Sequence, residues 1–385
     1  MTRSIFYDDS HCDIGQFRTH IRQQLQHDDV PYADEIKCNI PLYKTSDLLC
    51  ELSGVGRQSI LEEWANVLDS GPGVLVLSGL VDDMDVIDEA NAVFDGIMKQ
   101  EKNVVQGQGD HFAATGSNTR IWNSTQKLCL ANPELFVRYF GNTTLSAICE
   151  AWLGPGYQMT SQVNVVHPGG KAQQAHRDYH LGFLPSTVLQ QYPSHIHAIS
   201  PALTLQGAIA HCEMPLESGP TKLLPFSQSF GPGFLAVNNV DFRDSFEQHC
   251  VQLPLKKGDG LFFNPALFHA AGDNKSESID RMANLLQISS AFGRSLESLD
   301  RTTMTLALYP ALLRLKNQLD SNRLDAAIAA CAEGYPFPTN LDTDSPVNGM
   351  AGESQAELVR RAIQDNLSMA RFEEVLLSVD LRRRP

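Results

Sequence analysis

The sequence predicts a mainly β core of sandwich or barrel type with flanking helices, on three observations. From 157 to 292, short apolar or alternating runs are broken by Gly, Pro, Asn and Asp: Tyr157 to His167, Leu203 to His211, Thr221 to Pro225, Cys250 to Leu255, Gly260 to Asn264 and Met282 to Phe292. On either side of that block, apolar residues recur at helical spacing instead. Inside it, His176 and Asp178 stand two residues apart, and on a strand such side chains project from one face.

The chain reads as a single unit, 1–385: a mostly helical flank over 1–156, the β core over 157–292 and a helical extension over 293–385. A composition of 42% hydrophobic and 19% charged residues is that of a globular protein. The formal charge of −15 argues against a phosphate-backbone or anionic-lipid surface, so no nucleic-acid and no membrane partner is expected. Met1 to Arg18 lacks the apolar segment of a secretory signal, and Gly73 to Val81 is too short to span a bilayer, so a cytoplasmic location is expected. Eight scattered cysteines without a C-x-x-C pair read as reduced thiols. Oligomeric state is left open.

Taken in order, Ile14, Phe17, Ile21 and Leu25 predict a peripheral helix. Ser59 to Glu62 has the form of a capping box opening a helix that carries Leu61, Trp64 and Leu68 and stops at Ser70 to Gly73. A strand over Val74 to Leu77 follows, then a helix capped by Asp82 or Asp83 with Ile87, Ala90, Phe94 and Ile97 on one face. Residues 107–123, which include His111, Arg120, Trp122 and Asn123, read as a loop of the kind that covers sites. Helical patterning runs from Pro133 to Leu153, and resumes beyond Ser295 with Pro310 as a kink and Gly334 as a stop. Tyr335 to Ser354 reads as a long loop before a last helix with Val359, Ile363 and Leu367.

An H-x-D triplet is weak alone, and the chain holds two others. His11 to Asp13 and His27 to Asp29 fall in polar, helical sequence where residues two apart diverge, and are read as accidental. His176 and Asp178 instead follow a Pro168-Gly169-Gly170 turn within the β block. His269 ends the apolar run Leu261 to Phe268, and Arg281 opens the next strand, so two imidazoles, a carboxylate and a guanidinium can meet in one cavity. Arg177 and Tyr179 are expected to point away from the metal. His195 and His197, between Pro193 and Pro201, are read as surface residues of a loop.

With His176 to His180, Glu217 to Ser227, and His269 to Ser276 followed by Arg281, the sequence resembles the phytanoyl-CoA dioxygenase family, oxygenases dependent on iron(II) and 2-oxoglutarate. The resemblance implies a double-stranded β-helix core, jelly-roll or cupin-like. It implies iron on His176, Asp178 and His269, with Arg281 on the distal carboxylate of 2-oxoglutarate. The implied reaction uses Fe(II), 2-oxoglutarate and O2, releases succinate and CO2, and oxidises an unactivated C–H of a substrate. Asp178 separates the chain from halogenating relatives, which carry a small residue there. Ala271 stands where family members often have a hydroxyl residue, and the interval from His269 to Arg281 is one residue longer than usual. Gln162, Asn164 and Thr221 are further candidates to hold the co-substrate. His180, Arg120 and Trp122 are candidates for the substrate, with specificity expected from 107–123 and 181–200.

The preferred substrate is a small metabolite, because few cations stand near the motif to meet the phosphates of an acyl-CoA. Two alternatives use the same residues: a non-catalytic cupin-like binding protein, and a metal-dependent hydrolase or isomerase in which Arg281 binds substrate.

Overall fold

The computed structural model describes residues 5–104, 117–337, 340–346 and 350–384. Ten strands lie among them: β1 (Glu35–Lys37), β2 (Ile40–Lys44), β3 (Val74–Ser78), β4 (Asn118–Ile121), β5 (Gln158–Val166), β6 (Thr204–Ala210), β7 (Lys222–Leu224), β8 (Gly260–Phe263), β9 (Phe268–Ala270) and β10 (Arg281–Ser289). Eight form one sheet in the order β1-β2-β3-β8-β6-β10-β5-β4, parallel only between β2 and β3. β7 and β9 form a second, antiparallel sheet, which single bridges widen on both sides: His176 pairs with His269 of β9, and Val251 with Leu223 of β7.

Period-two alternation divides the large sheet into two faces. Met159, Val163, Leu205, Ile209, Phe262, Leu286 and Ile288 point into a continuous core shared with the helices. Gln162, Asn164, Gln206, Ala208, Leu261, Phe263, Arg281, Ala283, Leu285 and Gln287 point the other way, toward the second sheet, and line a cavity. Val74, Val76, Leu223, Leu261 and Leu267 close the two sheets against each other beside it.

Among the described residues helix outweighs strand, so the mainly β emphasis holds for the core and not for the chain as a whole. The helical layer includes Arg57–Asp69, Met84–Val104, Pro133–Phe140, Thr143–Leu153, Arg301–Leu315, Ser321–Cys331, Gln355–Gln364 and Met369–Arg383. None of the described helices is long and apolar enough to cross a membrane.

Several local expectations are corrected. Ser59 is not a cap: the helix opens two residues earlier, at Arg57, with the carbonyl of Gly56 accepting from the Ile60 amide at 3.2 Å. Asp83 does cap, accepting from the Asp85 amide at 3.1 Å. The stretch from Pro133 to Leu153 is two helices, broken at Gly141, with Asn142 capping the second by accepting from the Leu145 amide at 2.9 Å. Cys250 to Leu255 makes only two bridges, at Val251 and Leu255. The first helix ends at His20, before Leu25. Helix Arg301–Leu315 runs through Pro310, and the next ends at Cys331, short of Gly334. Leu367 lies between two terminal helices, not on one. His195 and His197 lie on helix Ser194–Ala202, where His195 is exposed but His197 is buried and donates to the Leu189 carbonyl at 3.2 Å. His111 and the rest of 107–116 lie outside the described residues.

Candidate metal centre

Gln174 to His180 is not a regular strand, yet one bridge does the positioning. The amide of His176 donates to the His269 carbonyl at 3.0 Å, and the amide of His269 donates back to His176 at 3.2 Å. The two residues are therefore a hydrogen-bonded antiparallel pair, whose side chains share one face. Their ring centroids lie 4.4 Å apart. Asp178 is anchored by its own amide, which donates to the Pro265 carbonyl at 2.9 Å. One ligand atom from each of His176, Asp178 and His269 falls within 4.8 Å of the others; no other such group of three occurs among the described residues, and the triplets at His11 and His27 take no part in one.

Each imidazole presents a defined nitrogen. Nδ1 of His176 donates to the Gln174 carbonyl at 2.9 Å, and Nδ1 of His269 donates to the Leu267 carbonyl at 2.8 Å. That makes Nδ1 a donor on each ring and turns each Nε2 toward Asp178, at 3.7 Å from Oδ1 for His176 and 3.3 Å from Oδ2 for His269. The side-chain amide of Gln206, on β6, donates to Asp178 Oδ2 and orients the carboxylate. Burial pushes the Asp178 carboxyl up, but the hydrogen bond to His269, the charges of both imidazoles and the Gln206 amide outweigh it and hold the pKa at about 2. Burial, then repulsion from His269, pushes His176 down. An ionised carboxylate and neutral imidazoles are the forms that bind a metal, so the donor set fits a 2-His-1-carboxylate iron site.

The cavity above the triad measures about 790 Å³. Its walls include nine of the ten side chains singled out in the sequence: His176, Asp178, His269, Arg281, Gln162, Asn164, Thr221, Arg120 and Trp122. His180 is the exception. It has φ 36° and turns its Nδ1 to the Ser200 hydroxyl at 3.3 Å, so the sequence proximity to His176 does not carry it into the cavity. Arg281 is buried and fixed by donation from Nη1 to the carbonyls of Ser218 at 2.9 Å and Gly272 at 3.3 Å. Burial pushes its pKa down to about 10, so it stays charged at neutral pH. Gly219 makes that seat possible, since a Cβ there would lie 2.1 Å from the Asp273 carbonyl oxygen.

The polar candidates differ in what they have to offer. Gln162 accepts from Arg120 at 2.8 Å and donates to Gln287 at 3.3 Å, so its amide already bonds to protein. Asn164 keeps a buried Oδ1 without a partner. Arg120 lies over the Trp122 ring, 5.1 Å from its centroid. Of 181–200, only Gly182 and Phe183 line the cavity; most of the rest is helical and packs elsewhere. Arg177 and Tyr179 are buried, and the Arg177 guanidinium donates to the Gln228 and Phe230 carbonyls, at 3.3 and 3.2 Å, on the side of the Phe234 and Phe268 rings.

Gln206, Gln287 and Glu297 are among the cavity residues missed in the sequence. The first two were visible as lone polar side chains at cavity-facing parity on apolar strands. Glu297 lies beyond the expected core boundary and carried no signal.

The family model described as Phytanoyl-CoA dioxygenase (PhyH) matches residues 71–283, more than half of the chain. A comparison with curated proteins finds no relative. Among solved structures, the chain is similar to the non-haem α-ketoglutarate-dependent epimerase SnoN from nogalamycin biosynthesis, at 16% identity and a TM-score of 0.40, covering 61% of this chain and 84% of that one. It is likewise similar to the non-haem α-ketoglutarate-dependent carbocyclase SnoK from the same biosynthesis, at 18% identity and a TM-score of 0.42, covering 61% and 86%. EvdMO1 matches at 16% identity and a TM-score of 0.41, covering 60% of this chain and 50% of its own.

Proposed function

Since the chain belongs to the phytanoyl-CoA dioxygenase family, we propose that its two facing sheets are a double-stranded β-helix and that its cavity oxidises an unactivated C–H of a small metabolite, with release of succinate and CO2. The cofactors are Fe(II), 2-oxoglutarate and O2. The observation that carries the reading is the triad itself, two imidazoles with carbonyl-locked Nδ1 and a carboxylate held ionised at one cavity wall.

In this reading His176, Asp178 and His269 would hold the iron. Bound Fe(II) supplies the redox chemistry that couples decarboxylation of 2-oxoglutarate to loss of hydrogen from a substrate carbon. Arg281, pre-set by two carbonyls, would receive the distal carboxylate of 2-oxoglutarate, and the Thr221 hydroxyl and Asn164 Nδ2, which line the same cavity, would donate further hydrogen bonds to it. The cavity walls Ala208, Ala210, Leu261 and Phe263 keep bulk water from the reacting carbon. A small metabolite is favoured over an acyl-CoA because, of the three cations next to the motifs in the sequence, Lys171, Arg177 and Lys222, two are committed. Arg177 is buried among carbonyls and rings, and Lys222 bonds to Glu247 at 2.6 Å.

The test is spectroscopic and catalytic together. Adding 2-oxoglutarate anaerobically to the Fe(II) protein should give a weak visible charge-transfer band, and a substrate panel in air should release succinate. Asp178→Ala should lose both. Arg281→Met should keep iron binding but weaken 2-oxoglutarate by roughly 10–100-fold, the loss of a charge-assisted bidentate contact. A metal-bound wild type with no band, or an Asp178→Ala variant with normal turnover, would overturn the assignment.

A further inference from the structure

Glu297 occupies a place in the cavity that neither the metal nor 2-oxoglutarate explains. Its Oε1 accepts from the Asn123 amide at 2.8 Å, and Asn123 adopts a left-handed backbone, φ 52°, that aims the amide there. Its Oε2 is buried and has no hydrogen-bond partner. Buried acceptors are nearly always satisfied, so a wall residue with one oxygen held and the other open is a seat waiting for a donor. Arg120 Nη1 donates to Gln162, and Glu297 Oε2 takes no hydrogen bond from it. Burial raises the Glu297 pKa to about 7, against the Asn123 amide and the charges of Lys127 and Arg120.

Position separates this seat from the co-substrate end. Arg281 opens β10 opposite Val166, whereas Asn123, which holds Glu297, lies two residues beyond Ile121, and Ile121 pairs with Val163 at the level of Asn284, three residues further along β10, roughly 10 Å at the strand rise. A second carboxylate at the Arg281 end would repel 2-oxoglutarate; at the far end it does not. The same cavity offers apolar surface, with Phe183 and Leu296 lining it while 55% and 39% exposed, and Trp122 beside Arg120.

We infer that Glu297 is a specificity-determining residue whose open oxygen receives a hydrogen-bond donor, a hydroxyl or an ammonium group, on a substrate whose apolar body lies against Phe183, Leu296 and Trp122. This rests on the cavity being the oxygenase active site. The substrate class is thus an amphipathic molecule, apolar over most of its surface and carrying one donor.

Binding of three probes of one shape tests this: 2-(2-naphthyl)ethylamine, 2-(2-naphthyl)ethanol and 2-ethylnaphthalene, each titrated calorimetrically into the anaerobic protein loaded with Fe(II) and 2-oxoglutarate. At least one donor probe should bind about tenfold or more tighter than the hydrocarbon. Glu297→Ala should erase that preference while the charge-transfer band with 2-oxoglutarate persists. A preference for the amine that Glu297→Gln also removes identifies an ammonium; a preference for the alcohol that Glu297→Gln keeps identifies a hydroxyl. Equal binding of all three, binding of none, or a donor preference that survives Glu297→Ala would overturn the inference. Loss of the band in the wild type would instead strike the active-site reading, whichever probe binds.

Discussion

Two backbone carbonyls decide which nitrogen of each imidazole faces Asp178, and one side-chain amide decides how Asp178 is turned. Replacing that amide should be felt at the metal: Gln206→Leu is expected to weaken Fe(II) affinity by roughly 10–100-fold in an anaerobic titration, with little change in apo-protein melting temperature. Glu297 makes a different prediction. Its pKa is raised from 4.5 to about 7, so the folded protein binds the proton more tightly than the unfolded chain does. The wild type therefore loses stability as pH rises from about 4.5 to about 7 and no more from this group above that. Glu297→Gln should remove the loss, so its melting temperature relative to wild type should be higher at pH 8 than at pH 5. An equal difference at both pH values would contradict the shift. At this scale the sequence was informative where chemistry sits in the side chain itself, as for His176, Asp178, His269 and Arg281. It was silent on the carbonyl partners, because backbone direction is not written in residue type. It misled at His180, where positive φ at Tyr179 and His180 turns the chain away.

At the level of elements, period two was the most legible property. It placed Gln162 and Asn164 on one face, and both line the cavity. Strand edges were less legible: Cys250 to Leu255 has the apolar content of a strand but only two bridges, since its neighbour β7 is three residues long. The short helix Gly233–Ala236, which the sequence did not reveal, has a definite structural task. It brings Phe234 over Arg177, and a Cβ on Gly233 would lie 2.0 Å from the Arg177 guanidinium. Gly233→Ala must displace a buried cation that follows the ligand His176 in the chain. The expected cost is about 1–3 kcal/mol in denaturant unfolding, with weakened Fe(II) binding. Wild-type stability in that variant would show that the cage yields.

On the scale of the molecule, one apolar core runs from Val30 through the large sheet to Leu376, tying the N-terminal flank and the C-terminal helices to the strands that carry the site. The C-terminal contribution is anchored by Tyr309, which stacks on Phe372 with centroids 3.8 Å apart and donates to the Ala362 and Leu367 carbonyls at 3.0 and 2.9 Å. A core without a seam should unfold as one, so calorimetry is expected to show a single transition. Phe372→Ala should lower it by about 3–5 kcal/mol without changing Fe(II) affinity. Two resolved transitions would divide the chain. The bridge between His176 and His269 has a consequence of another kind. Asp178 and His269 are 91 residues apart in the chain, and what joins their neighbourhoods is a pair of main-chain hydrogen bonds that any residue but proline can make. The part of the chain between them outside β6, β7, β8 and the turn that seats Arg281 can therefore lengthen or shorten while the ligands keep their places. For an engineer, that makes the excursion through Phe183 a region to diversify, and the bridge the part of the scaffold to leave alone.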